Sequence, residues 1–184
     1  MPLMSEFFDR AAVQVAPELL GAMLEVRGAG GIIVETEAYA PDDPASHSFR
    51  GPGARNAAMF GPPGRAYVYR SYGIHLCLNV VCARGHAVLV RALEPKLGLE
   101  RMAERRGTGD PVRLCSGPGR IGQALGLELA DDGTAFGAAG FMLRPGPPPP
   151  PLRVTSGPRI GISRAADLPW RFGLSGSPFL SRRF

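Results

Sequence analysis

The chain has 184 residues, enough for one well-cored domain and short for two. A hydrophobic share of 45% and a mean hydropathy near zero place it among ordinary globular proteins, and no apolar run approaches the length of a membrane span. Twenty-one Lys plus Arg against sixteen Asp plus Glu leave a net charge of +5 and a pI near 9.6, which favours a polyanionic partner such as nucleic acid. The opening residues MPLMSEFFDR lack the basic and apolar regions of a secretion signal, so a cytoplasmic protein is expected. Cys77, Cys82 and Cys115 are an odd set without framework spacing, which fits a reducing compartment and no structural disulfide. Cys77 and Cys82 would face opposite sides of a strand, so with His75 and His86 they make a poor zinc site, and no metal or cofactor is expected.

Taken in order, Ser5 can cap a first helix carrying Phe7, Phe8 and Val13, and Pro17 suits the first turn of a second helix ending near Gly21. Met23–Arg27 and Ile32–Tyr39 read as strands joined through Gly28-Ala29-Gly30-Gly31. In the second strand Glu35, Glu37 and Tyr39 alternate and should share a face, with His47 arriving from the following loop. That face offers a general base and flat rings; an amphipathic edge strand with solvated glutamates is the plainer reading. The loop from Ala40 to Gly64 is long, rich in Pro, Gly and Asp, and carries Arg50 and Arg55, content that argues for a functional loop.

Tyr67-Val68-Tyr69 and Ile74–Val81 read as a hairpin with Tyr72 at its tip. An exposed aromatic between Arg65 and Arg70 suits a wedge that pries into DNA, although Tyr72 could also fold back on the core. Ala87–Ala92 is a buried strand, and Arg91 within it needs a partner or a ligand. Gly98–Arg106 is a helix. Ser116-Gly117-Pro118-Gly119-Arg120 opens another, Ile121–Leu125, without the residues of a nucleotide P-loop. Pro147–Pro151 reads as a stiff extended connector. Arg159-Ile160-Gly161-Ile162 is strand-like, and with Trp170-Arg171-Phe172 it should join the same core, giving one domain over 1–184.

These blocks, in this order from about Pro17 onward, resemble the alkyladenine (3-methyladenine) DNA glycosylases. The resemblance is carried by VETEAY, Ala45-Ser46-His47, Arg55-Asn56, Met59-Phe60-Gly61-Pro62-Pro63-Gly64 and YVYRSYGIHLCLNVV. It extends through Val90-Arg91-Ala92-Leu93-Glu94-Pro95, Leu114–Gly119, Arg159–Ile162 and Pro169–Phe172. It implies one α/β domain of the α+β type, built on a curved antiparallel sheet with a hairpin that enters the DNA minor groove. By position it implies Glu37 as the base that activates a water, with Arg91 and the backbone of Ile160 holding that water. Tyr39, His47 and Tyr69 would stack a flipped base, and Asn79 would reject the exocyclic amine of guanine. Tyr72, with Ile74 beside it, would replace the base in the duplex. Arg50, Arg55 and Arg120 are the expected phosphate contacts. Gly53 and His75 depart from the family's usual threonine and aromatic residue.

The expected activity is release of alkylated or deaminated purines from double-stranded DNA by a monomer, leaving an abasic site. Strand-cutting glycosylases usually use an amine, and the one lysine, Lys96, has no motif that places it in a pocket, which leaves the N-terminal amine as the alternative. Glu35 is then structural, since one base suffices. Two rivals stand beside this reading: a glycoside hydrolase using Glu35 and Glu37, and a nucleic-acid-binding module without chemistry.

Overall fold

Alternation with a period of two organises the protein. In the computed structural model, which describes residues 2–138, 140–147 and 153–184, strands β1 (Met23–Val26), β2 (Ala29–Tyr39), β3 (Ala66–Ser71), β4 (His75–Val81) and β5 (Ala87–Leu97) put their apolar residues on one side. Leu24, Val26, Ala66, Val68, Leu78, Val80, Val88 and Val90 all join the core cluster. Strand order is β3-β4-β5-β2-β1-β6, with β6 at Phe141–Arg144 and every pairing antiparallel. Strands β7 (Val154–Gly157) and β8 (Arg171–Leu174) pair with each other, and β8 also pairs with β2 over Glu35–Glu37. The result is a single α+β domain on a curved antiparallel sheet.

Strand β2 is therefore no edge. Strand β5 runs along one side of it, while β1 and then β8 cover the other, so Glu35 and Glu37 are fully buried rather than solvated. Paired bulges decide where they point. Ile33 opposes Leu93 and Glu35 opposes Ala92, leaving Val34 as an extra residue on β2; Thr36 opposes Val90, leaving Arg91 extra on β5. Each insertion shifts the alternation by one. Ile33 thus lies in the core with Ala38, and Thr36 hydrogen-bonds the Ala16 carbonyl of an underlying helix, while Glu35, Glu37, Tyr39 and Arg91 turn to the opposite face.

Helices α1 (Ser5–Phe8), α2 (Ala12–Glu18), α3 (Leu99–Arg106), α4 (Pro111–Leu114) and α5 (Pro118–Leu125) cover the core. Helix α5 approaches β4 so closely that a Cβ at Gly122 would lie 2.0 Å from the Leu76 carbonyl oxygen, which leaves room for glycine alone. Among the described residues no helix is long and apolar enough to cross a membrane.

Several expectations change. Met4 holds the N-cap position of α1 and Ser5 bonds no backbone amide there. Pro17 sits inside α2, near its end; burial of Ala12, Val15 and Ala16 starts the helix earlier than the proline suggested. The β1–β2 turn is Arg27-Gly28, both with positive φ, so Gly30 and Gly31 belong to the strand, where side chains would strike the Leu24 and Glu94 carbonyls. Arg159–Ile162 is not a strand, because its amide and side chain are committed to other partners. Most of the proline run, residues 148–151, lies outside the described residues.

Candidate active site

The face of the sheet away from the core lines a cavity of about 820 Å³, within the size range of small-ligand sites. Strand β2 contributes Glu37 and Tyr39, β3 contributes Tyr67 and Tyr69, β4 contributes Cys77 and Asn79, and β5 contributes Leu89 and Arg91. The loop after β2 adds His47 and Arg50, and the segment 160–164 closes the far wall.

Glu37 lies at the floor. Its Oε1 accepts the Ile160 amide at 2.7 Å and stands 3.3 Å from Arg91 Nη1, and its Oε2 accepts the Tyr39 hydroxyl at 2.8 Å. Burial, and then the Glu37 charge, push the Tyr39 phenol pKa well up, so it stays protonated and can donate. Two hydrogen bonds and the Arg91 ion pair engage a group with about four acceptor positions, leaving one open on Oε2 of a residue that lines the cavity.

Glu35, two residues away, is occupied differently. It accepts from Arg91 Nε at 3.1 Å, Arg171 Nε at 2.8 Å, the Ser181 amide at 2.6 Å and the Ser181 hydroxyl at 2.7 Å. It does not line the cavity. Its work is to hold Arg91, whose other end faces Glu37.

Rings form the walls. His47 and Tyr69 meet edge to face with centroids 4.5 Å apart, and His47 Nδ1 is 2.9 Å from the Tyr67 hydroxyl. His47 stands at the mouth with part of the residue exposed, and what burial its ring has lowers its pKa, so it is neutral near pH 7. The Tyr67 phenol is pushed up to about 12 by burial and by Asp132. Asn79 is buried, and its side-chain amide donates to the Tyr67 carbonyl at 3.1 Å.

Beside the mouth, the β3–β4 turn points outward. Tyr72 is 85% exposed and Ile74 71%, so the alternative of Tyr72 folded on the core is not what occurs. Tyr72 and Gly73 both have positive φ, and the Ile74 amide bonds the Ser71 carbonyl. An aromatic residue held there is strained by about 1–3 kcal/mol, a cost typical of functional positions.

Of the three arginines expected at phosphates, Arg50 lines the cavity mouth, whereas Arg55 and Arg120 are exposed and outside the lining. Arg120 bonds the Ser116 hydroxyl at 2.8 Å. Lys96 is paired with Glu94 at 2.5 Å and is likewise outside the lining. Sequence reasoning missed Arg164 and Ser163 in the far wall, the hydroxyl of Tyr67 and the anchoring role of Arg171 and Ser181. Only Arg171 left a signal, as a charged residue between Trp170 and Phe172 in an apolar strand. Among the described residues no group of three or more His, Cys, Asp or Glu is placed to hold a metal ion.

A buried carboxylate thus lies in an aromatic cavity, with an exposed aromatic hairpin beside its mouth. The sequence profile of the family described as "Methylpurine-DNA glycosylase (MPG)" matches residues 6–178. A protein of Rhizobium meliloti (strain 1021) named "Putative 3-methyladenine DNA glycosylase" is 56% identical over 97% of this chain and 96% of its own length. Proteins of the same name from Nitrosospira multiformis and Rhodopseudomonas palustris (strain CGA009) are 58% and 57% identical, over 96% and 100% of this chain and 92% and 90% of theirs. The chain belongs to the methylpurine-DNA glycosylase family. It is a DNA glycosylase, and DNA is its substrate.

Proposed function

We propose that the protein is a monofunctional glycosylase that flips alkylated or deaminated purines out of duplex DNA and hydrolyses the N-glycosidic bond with a Glu37-activated water. The open lone pair of Glu37 at the floor of an aromatic cavity carries this reading. A base inside the stack is unreachable, so it must be extruded; damaged or mispaired bases resist least. Tyr72 and Ile74 fill the gap it leaves, and the base enters between Tyr39, His47 and Tyr69. Electron-rich rings attract a cationic purine, and a neutral His47 does not repel it. Asn79, fixed by its bond to Tyr67, screens the exocyclic amine of guanine.

Water attacks C1′ of the sugar as the bond to the purine nitrogen breaks. The purine leaves with the bonding electrons, the water proton passes to Glu37, and the carboxylate offsets positive charge developing on the sugar. Arg91 and the Ile160 amide keep the carboxylate oriented. Lys96 stands outside the cavity, which favours an abasic product over strand cleavage. The rival sugar hydrolase requires two carboxylates flanking one bond, and Glu35 does not line the cavity and is held by Arg91, Arg171 and Ser181.

The test uses duplexes carrying one hypoxanthine or ethenoadenine for strand scission, and 3-methyladenine or 7-methylguanine duplexes scored by the free base released. Strand scission only after hot alkali is the expected result. Scission without alkali would replace the monofunctional reading by a lyase. Binding without release from any of the four would leave a non-catalytic DNA-binding module.

A further inference from the structure

We propose that Asp43 and Arg159 are a buried positioning pair that fixes Tyr39 and the Ile160 amide, the two hydrogen-bond donors on Glu37; this rests on Glu37 being the base. Neither side chain has accessible surface. Arg159 donates through both terminal nitrogens to Asp43, from Nη2 to Oδ1 at 3.0 Å and from Nη1 to Oδ2. Nη1 also reaches the Ala38 carbonyl at 3.0 Å, and Nη2 reaches the Ala165 carbonyl at 3.3 Å. Ala165 holds a left-handed backbone, with φ of 46°. The guanidinium lies 4.7 Å from the Tyr39 ring centroid and 5.4 Å from that of Trp170.

One side chain thus ties three segments together. Tyr39, against the guanidinium, donates to Oε2 of Glu37; Ile160, next in the chain, donates to Oε1. Asp43 also accepts the Ala45 amide at 2.9 Å, at the start of the turn that delivers His47. The segment beyond Arg159 has no strand partner to fix it, yet Ile160–Arg164 form a cavity wall. A buried ion pair is a poor source of stability, because desolvating both charges offsets their attraction. Arg159 Nε is moreover buried without a partner. What the pair supplies is geometry: it commits two turns and a tyrosine to one arrangement around the reacting carboxylate.

The test compares Asp43→Asn with Asp43→Glu, which keeps the charge and both acceptor oxygens. Single-turnover excision from a lesion duplex, duplex affinity, and acrylamide quenching of Trp170, the sole tryptophan, are measured on protein shown to be folded. For Asp43→Asn excision should fall about 30-fold with affinity within about threefold, and quenching should rise as the stack loosens. Asp43→Glu should recover most of both. If Asp43→Asn does not fold, Arg159→Lys decides, because it keeps the charge and loses the two-pronged contact: slowed excision with raised quenching supports the pair, and wild-type values in both overturn it. Unchanged excision in folded Asp43→Asn, a loss lying wholly in affinity, or no recovery with glutamate would overturn the pair while leaving Glu37 in place. A wild-type protein that releases no base would overturn the reading of Glu37, and this inference with it.

Discussion

Glu35 and Glu37 share a strand, a face and complete burial, yet only one faces the cavity. Around Glu35 two guanidinium groups and the Ser181 hydroxyl converge on Oε1, and the Ser181 amide takes Oε2. Around Glu37 a phenol, an amide and one guanidinium leave a lone pair open. The difference comes from what is packed opposite each. The residues around Ser181 seal the first carboxylate, while the aromatic cavity stands above the second. Burial alone thus does not separate the two; the partners around each and access to the cavity do.

Substitution at each carboxylate should separate the two environments. Glu37→Gln should slow single-turnover excision by roughly 10³-fold, within the range for a lost general base, with lesion binding and melting temperature retained. If instead its melting temperature collapsed, Glu37 would be a second structural carboxylate and the comparison would fail. Glu35→Gln should do the opposite. It leaves Arg91 and Arg171 buried without their shared anion, and a urea titration should show a loss of about 3–5 kcal/mol. Excision per folded molecule should fall much less than in Glu37→Gln.

A smaller effect tests one donor. Tyr39→Phe removes the hydroxyl on Oε2 while keeping the ring against Arg159, and should slow excision about tenfold, as expected for a hydrogen bond to a charged acceptor. An unchanged rate would mean that Oε2 needs no fixing.

The smallest effect keeps histidine titration from being mistaken for that of the carboxylates. Burial lowers the pKa values of His47 and His86 below 6.5, and His86 Nδ1 accepts the Ala12 amide, so it must stay unprotonated. Below about pH 6.5 the unfolded chain binds protons that the folded chain refuses, so stability should decline as pH falls through that value and level off below the folded pKa. A urea midpoint followed from pH 7.5 to 5.5 should show this decline, and His86→Gln should reduce it. A slope unchanged by that substitution would move the effect elsewhere.

Much of the site was legible because short-range patterns encode it. Alternation put Glu35, Glu37 and Tyr39 on one face, a tyrosine-glycine turn marked the hairpin tip, and a lone arginine in an apolar strand announced a buried partner. Other features left no such trace. The bulges at Val34 and Arg91 depend on how two strands 56 residues apart are registered, and they decide that the shared face lies away from the apolar core. The same holds for the irregular course of Arg159–Ile162, which looked like a strand because its apolar residues line a cavity instead of a sheet partner. The sequence by itself determined which chemical groups were present and which neighbours shared a face, since local sterics and period settle both. Only the tertiary structure decided which carboxylate faces the cavity, because Ile160, Arg171 and Ser181 arrive from positions more than 120 residues away and their bonds exist only once the sheet has closed.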